Sequence, residues 1–184
     1  KGILRERDYE NVDGLVTDES GLVLVTYFAD CVPLFFVDPV HRAVGLAHSG
    51  WRGTLGRMGE RMVETMGRCF GTRPEDLLAA VGPSICQACY EVSSEVAEQF
   101  TDMLGDEVAV PGRQAGKYQL DLWLANRLIL EQAGLAREHI AVTDICTCHN
   151  SEYLFSHRAT GGRRGAMGAF LMLESQTSER SSRM

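Results

Sequence analysis

A chain of 184 residues, 45% of them hydrophobic, is long enough to form one domain with its own core. Its formal charge of −7, with no basic block, argues against nucleic acid as a partner, and no apolar run approaches the roughly 20 residues of a membrane span. The six cysteines are read as reduced thiols of a cytoplasmic protein, because a chain this rich in ordinary core residues has no need of a disulfide framework.

The chain starts at Lys1 on a turn-like "YENVDG", which suggests that a preceding segment is missing. Leu22 to Phe28 is rich in β-branched and aromatic residues and reads as a buried strand. "PLFFVDPVHRAVGLAH" then reads as strand, turn and strand: Leu34 to Val37, a turn around Pro39, and Ala43 to Ala47. Beyond Thr54, a candidate N-cap, Leu55, Met58, Met62, Met66 and Phe70 stand at helical spacing until Gly71. "DLLAAVGPSIC" gives a strand ending at Gly82-Pro83, and Ser93 or Ser94 caps a helix through Phe100. No element is assigned between about Thr101 and Gly116. An amphipathic helix follows from Asp121 to Gly134, then strands in "HIAVTDICTC", "YLFSHR" and "GAMGAFLMLE". The Ser, Thr and Arg-rich end, 175–184, is expected to be a disordered tail behind a single domain spanning 1–174.

The hairpin carries the chemistry. A turn centred near Val40 makes the indices of facing residues sum to about 80, so Cys31 falls opposite about Ser49, with His48 one residue away. Paired strands lie about 4.8 Å apart, close enough for a thiol and an imidazole to share a site. Such a pair is half of a tetrahedral zinc site, or a nucleophile and its base, or, through the soft thiolate, a copper ligand set. The plain alternative is a buried cysteine and a hydrogen-bonded histidine at strand ends. Against it stand Gly50, Gly53 and Gly56 around Trp51 and Arg52, where backbone N–H groups and a guanidinium would welcome an anion.

Two further groups draw notice. Cys86-x-x-Cys89, which elsewhere could mean zinc or redox chemistry, has no second C-x-x-C or paired histidine at the expected spacing. Cys146, Cys148 and His149 form a weaker candidate cluster, because residues two apart on a strand are poorly placed to converge with a third. His41 in the hairpin turn and His139 are expected to face solvent.

"ADCVP", "HSGWRGT", "VGPSICQACYEV" and "CTCHNSEYLFSHRATGGRRGAMGAF" together resemble the laccase-domain family, also called multicopper polyphenol oxidase-like, from about Val12 to Leu173. The resemblance implies a single-domain α/β fold, a four-layer α/β/β/α sandwich with mixed sheets. It also implies a zinc-dependent site acting on purine nucleosides and phosphate: phosphorolysis of adenosine, inosine and methylthioadenosine, with deamination of adenosine. By position in its motifs, Cys31 and His48 are the zinc ligands and catalytic residues. The family's third ligand is an upstream histidine, but this chain has none before His41, so a weakly occupied site is expected. Arg52 and Arg158 are the candidate phosphate and substrate donors, and Tyr90 lines the pocket; Arg163 and Arg164 are read as surface residues. Asp30 either assists proton transfer or bonds backbone N–H groups. The alternatives are a Cys-His hydrolase or deamidase, a copper-dependent polyphenol oxidase for which one thiolate and few histidines are a poor ligand set, and an inactive fragment that binds a nucleoside. A monomer is the default expectation for the oligomeric state.

Overall fold

The computed structural model describes residues 12–175. The strands are β1 (Gly14–Thr17), β2 (Leu24–Phe28), β3 (Val32–Asp38), β4 (Ala43–Ser49), β5 (Leu78–Val81), β6 (Glu91–Ser93), β7 (Ala109–Pro111), β8 (Lys117–Leu120), β9 (Ile140–Val142) and β10 (Met167–Leu171). The helices are α1 (Trp51–Leu55), α2 (Met58–Phe70), α3 (Ser94–Leu104) and α4 (Leu122–Gln132). A mixed five-stranded sheet runs in the order β1-β4-β3-β5-β9, antiparallel except for the β5–β9 pair. A two-stranded ribbon, β10-β2, and a three-stranded sheet, β6-β8-β7, complete the expected α/β body with mixed sheets.

β4 explains the layering. Six of its seven residues are buried, because both faces of the central sheet are covered and an alternating polar face would have nowhere to go. Ala43 and Ala47 join Leu34, Phe36, Met62 and Met66 on the helix side, while Val44 and Leu46 meet Leu24, Phe28 and Ala169 of the ribbon on the other. Small residues set the helix-side spacing: a Cβ on Gly45 would stand 2.9 Å from Met62 Cε and 3.2 Å from Met66 Sδ. Helices, five-stranded sheet and ribbon thus pack in that order, the α/β/β succession of the expected sandwich. The ribbon's outer face leaves Tyr27 67% and Phe170 62% exposed. Among the described residues no helix is long and apolar enough to cross a membrane.

Several elements differ from the sequence reading. The single helix expected after Thr54 is two helices: Arg57 takes a left-handed φ of 55° between them, and Thr54 lies inside α1 rather than capping it. Gly71 ends α2 with φ 76°, as its lack of Cβ allows. Asp121 caps α4 by accepting the Leu124 N–H at 2.9 Å. α3 runs on to Leu104 and β7 lies in the stretch for which no helix or strand had a clear signal, while β8, also unassigned from sequence, follows directly after it. "HIAVTDICTC" is a strand only over Ile140–Val142, and "YLFSHR" forms turns, so 143–166 is a long irregular segment. The tail expected over 175–184 lies, beyond its first residue, outside the described residues.

Two buried polar constructions hold the hairpin in place. At the turn, the fully buried Asp38 carboxylate accepts the N–H of Val40 at 2.8 Å and of His41 at 2.9 Å, with the His41 ring Nδ1 also at 2.9 Å. At the open end, Ser49, Thr54 and Asn126 are all fully buried and satisfy one another. Ser49 Oγ lies 3.0 Å from Thr54 Oγ1 and donates to Asn126 Oδ1 at 3.0 Å; Asn126 Nδ2 donates to Thr54 Oγ1 at 3.2 Å and to the Leu122 carbonyl at 2.8 Å. A network with every member satisfied is rigid, whereas one orphaned member carries its full desolvation cost.

Thr54→Val removes the central hydroxyl while keeping the side-chain shape. It is expected to lower unfolding free energy by about 1–3 kcal/mol, read from urea denaturation; a loss below ~0.5 kcal/mol, the scale of a neutral surface change, would show the network to be inert. Asp38 supplies a pH test. Burial alone would raise its pKa, but the Thr72 hydroxyl, the His41 N–H and ring and the Val40 N–H outweigh it and hold the group below its ordinary 3.8. A lowered folded pKa means stability that is complete above pH 3.8 and lost as pH falls through the folded value. The stability gap between wild type and Asp38→Asn should therefore be constant above about pH 5 and shrink below pH 3.8, as followed by denaturant titration at each pH.

Candidate functional site

The β3–β4 register decides whether Cys31 and His48 can meet. Val32 faces Ser49 and Pro33 faces His48, an index sum one greater than the sequence reading assumed. That single residue matters, because side chains alternate between faces. Under the smaller sum Cys31 would share a face with Ser49. Under the observed register it shares one with Pro33 and hence with His48, on the ribbon side of the sheet. The two side chains converge at Gly50: a Cβ there would stand 2.9 Å from Cys31 Sγ and 3.7 Å from His48 Cε1. Glycine leaves open the space between the thiol and the imidazole.

Asp13, just ahead of β1, fixes the histidine. Its carbonyl accepts the His48 backbone N–H at 2.7 Å and its carboxylate lies 3.3 Å from His48 Nδ1. A partner on one ring nitrogen orients the ring and presents the other for ligation or proton transfer. The Cys31 thiol is raised above its ordinary pKa, first by burial, then by the neighbouring Asp30 carboxylate and more weakly by Asp13, with Arg164 in partial opposition. Nucleophilic cysteines are activated by the opposite kind of surroundings. A bound cation would stabilise the thiolate directly.

Asp30 holds the other side of the site. It adopts φ 77°, and both carboxylate oxygens are committed: one accepts the Thr147 hydroxyl at 2.6 Å, the other the Arg158 backbone N–H at 2.7 Å. The structure therefore favours the backbone-bonding role for Asp30 over proton transfer. Arg158 folds its guanidinium back onto the carbonyls of Cys89 (3.2 Å) and Glu91 (3.0 Å) and lies 5.2 Å from the centroid of the Tyr90 ring. Tyr90 is pushed up to about 12, by burial first and then by Cys31, against the pull of Arg158 and Arg52. Its phenol is thus an O–H donor at neutral pH. Arg52 stacks over Trp51 at 4.0 Å. Cys31, His48, Tyr90, Arg52 and Arg158, nominated from sequence, therefore occupy one neighbourhood. Two residues were missed: Asp13, which carries no motif, and Arg164, whose charge reaches Cys31 although it was set aside as a surface residue.

A second cluster was undervalued. The donor atoms of Cys86, Cys89, Cys146 and His149 all lie within 4.8 Å of one another, a set that could hold a metal ion. The strand assumed for Cys146 and Cys148 does not exist there; the chain turns, and Cys146 and His149 face the same way. The signal was present as Cys146-x-x-His149, a counterpart to Cys86-x-x-Cys89. Cys148 stays outside the group, and His41 is held in the hairpin turn, as expected.

Residues 3–174 match the family described as multi-copper polyphenol oxidoreductase laccase. The chain is 42% identical over 160 residues to purine nucleoside phosphorylase YlmD of Bacillus subtilis, covering 86% of this chain and 58% of the relative. It is 39% identical over 164 residues to adenosine deaminase RL5 from an unknown prokaryotic organism, covering 88% and 62%. Among solved structures, YlmD from Geobacillus stearothermophilus superposes with a TM-score of 0.84 at 41% identity, covering 89% of this chain and 62% of that one. The chain thus spans about three fifths of the length of these relatives. It belongs to the multi-copper polyphenol oxidoreductase laccase family.

Proposed function

We propose that the chain carries the site of a zinc-dependent purine nucleoside enzyme. It releases the base of adenosine, inosine or methylthioadenosine by phosphorolysis, forming ribose 1-phosphate or its methylthio analogue, and deaminates adenosine. The observation that carries this reading is the convergence of Cys31 and His48 on the space above Gly50, with Tyr90 and Arg52 beside it. The names of the relatives supply the substrate class. Cys31 and His48 are the two ligands this chain offers to zinc; among the described residues no third Cys, His or carboxylate completes a cluster with them. A soft thiolate with an imidazole suits zinc, and the orienting Asp13 carboxylate is the usual companion of a ligating histidine. When bound, zinc supplies Lewis acidity that lowers the pKa of water for attack on the purine ring.

The remaining residues bind and orient. Phosphorolysis needs an anion held against the anomeric carbon while positive charge develops on the ribose, and Arg52 is the cation available for it. Stacking on Trp51 keeps its planar fork extended. Arg158 has two of its five N–H groups tied to the Cys89 and Glu91 carbonyls, so it holds the wall bearing Tyr90 and keeps other donors for substrate. Tyr90 offers its protonated hydroxyl to the nucleoside. Partial burial and the neighbouring Asp30 carboxylate, both of which raise the Cys31 thiol, weigh against a Cys-His hydrolase.

The test is release of ribose 1-phosphate from inosine and inorganic phosphate by the purified chain supplied with zinc. Cys31→Ala and His48→Ala are expected to abolish release, Arg52→Ala to lower kcat/KM about 100-fold, and Asp13→Ala to weaken zinc affinity about 10- to 100-fold. Turnover that persists in both Cys31→Ala and His48→Ala, or no product from any of the three nucleosides, would overturn the assignment.

A further inference from the structure

We infer that Cys86, Cys89, Cys146 and His149 form a second, structural zinc site, which clips the loop after β5 to the loop after β9. The inference is independent of the reaction proposed above.

The donor set comes from two matched turns, Cys86-x-x-Cys89 and Cys146-x-x-His149, with 56 residues between them, whose four ligand atoms lie within 4.8 Å of one another. A zinc tetrahedron with Zn–S near 2.3 Å has edges of about 3.8 Å, so the side chains need only a small contraction to close on an ion. Cys89 Sγ already lies 3.2 Å from His149 Nε2 and Cys86 Sγ 3.7 Å from His149 Nδ1.

A second feature belongs to thiolates. Cys146 Sγ receives two backbone N–H groups, from Cys86 at 3.3 Å and from His149 at 3.4 Å. Each donor comes from a fellow member of the cluster, one on each turn. Such N–H groups aimed at sulfur steady a metal-bound thiolate and orient it, as outer partners of metal ligands do. The cluster opens on a cavity of about 450 Å³ lined by Cys89, Cys148, His149, Glu91 and Arg113, which gives an ion a way in.

Three thiolates and one imidazole fill the tetrahedron, leaving no position for water or substrate, so the ion would be structural. Binding releases the three thiol protons to solvent. Its mechanical role follows from what hangs on the two turns. Thr147, next to Cys146, bonds Asp30, which precedes Cys31; Tyr90 follows Cys89, whose carbonyl anchors Arg158. One ion would thereby tie together the two walls that flank the Cys31–His48 pair.

Metal analysis of the purified chain, followed by cobalt substitution under reducing conditions, tests this. With Cys31→Ala/His48→Ala as the background, so that only the cluster thiolates contribute, a tetrahedral cobalt spectrum is expected whose sulfur-to-metal charge-transfer intensity falls by about a third when Cys86→Ser is added, rises by about a third with His149→Cys, and is unchanged with Cys148→Ser. Alkylation of the wild-type chain guards against variants that fail to fold. Cys86, Cys89 and Cys146 should resist reagent until a chelator is added, while the exposed Cys69 reacts throughout. Loss of the cobalt signal in Cys31→Ala/His48→Ala with retention in Cys86→Ser, copper(I) in place of zinc, a disulfide among the cluster cysteines in reduced protein, or alkylation indifferent to chelator would each overturn the proposal.

Discussion

The antiparallel pairing of β3 with β4 is the constraint on which the candidate site rests. Its register is enforced from both sides of the sheet: Ala43, Gly45 and Ala47 must face the α2 methionines, and Val44 and Leu46 must face the ribbon. A slip of one residue would turn bulky side chains into the tight helix contact and small ones toward the ribbon, so packing across the whole strand opposes it. The same alternation carries past the end of the strands and sets Cys31 and His48 on one face. A local chemical arrangement is thus specified by the hydrophobic pattern of residues that never touch it.

Around that pair, buried polar groups do what apolar packing cannot. Ser49, Thr54 and Asn126 tie the β4–α1 corner to α4, and Asp30 ties the start of β3 to Thr147 and Arg158, 117 and 128 positions away in the sequence. Arg158 then reaches back to the segment bearing Tyr90. The site is assembled from chain segments brought together by a few directional bonds with almost no freedom to rearrange.

How much of this could be read in advance follows from the range of the interactions. The hairpin was legible because strand, turn and strand are neighbours and each carries its own pattern, and α4 was legible because Asp121 and Gly134 mark its ends. The break between α1 and α2 was hidden, because Leu55, Met58 and Met62 keep their helical spacing across a single left-handed residue, Arg57. β6, β7 and β8 were missed because each has three or four residues, too few to show a period. In the site, the hairpin alone brought Cys31 and His48 close together, but the face they share depends on a register one residue away from the one its turn suggested. The cysteine cluster could not be read in advance, because Cys86 and Cys146 meet only through the folded β5 and β9, and 143–166, rich in residues that look like strand, runs through turns instead.

The left-handed backbone at Asp30 narrows what evolution can place there. An L residue in that conformation carries a strain of about 1–2 kcal/mol, least for Asn and Asp and absent for Gly. Glycine would relieve the strain but surrender both anchoring bonds, and asparagine would offer one acceptor where two donors converge. Glutamate would move its charge a methylene too far. Among the twenty side chains only aspartate satisfies the torsion and both donors together, which makes this position, rather than Cys31 or His48, the least negotiable in the hairpin.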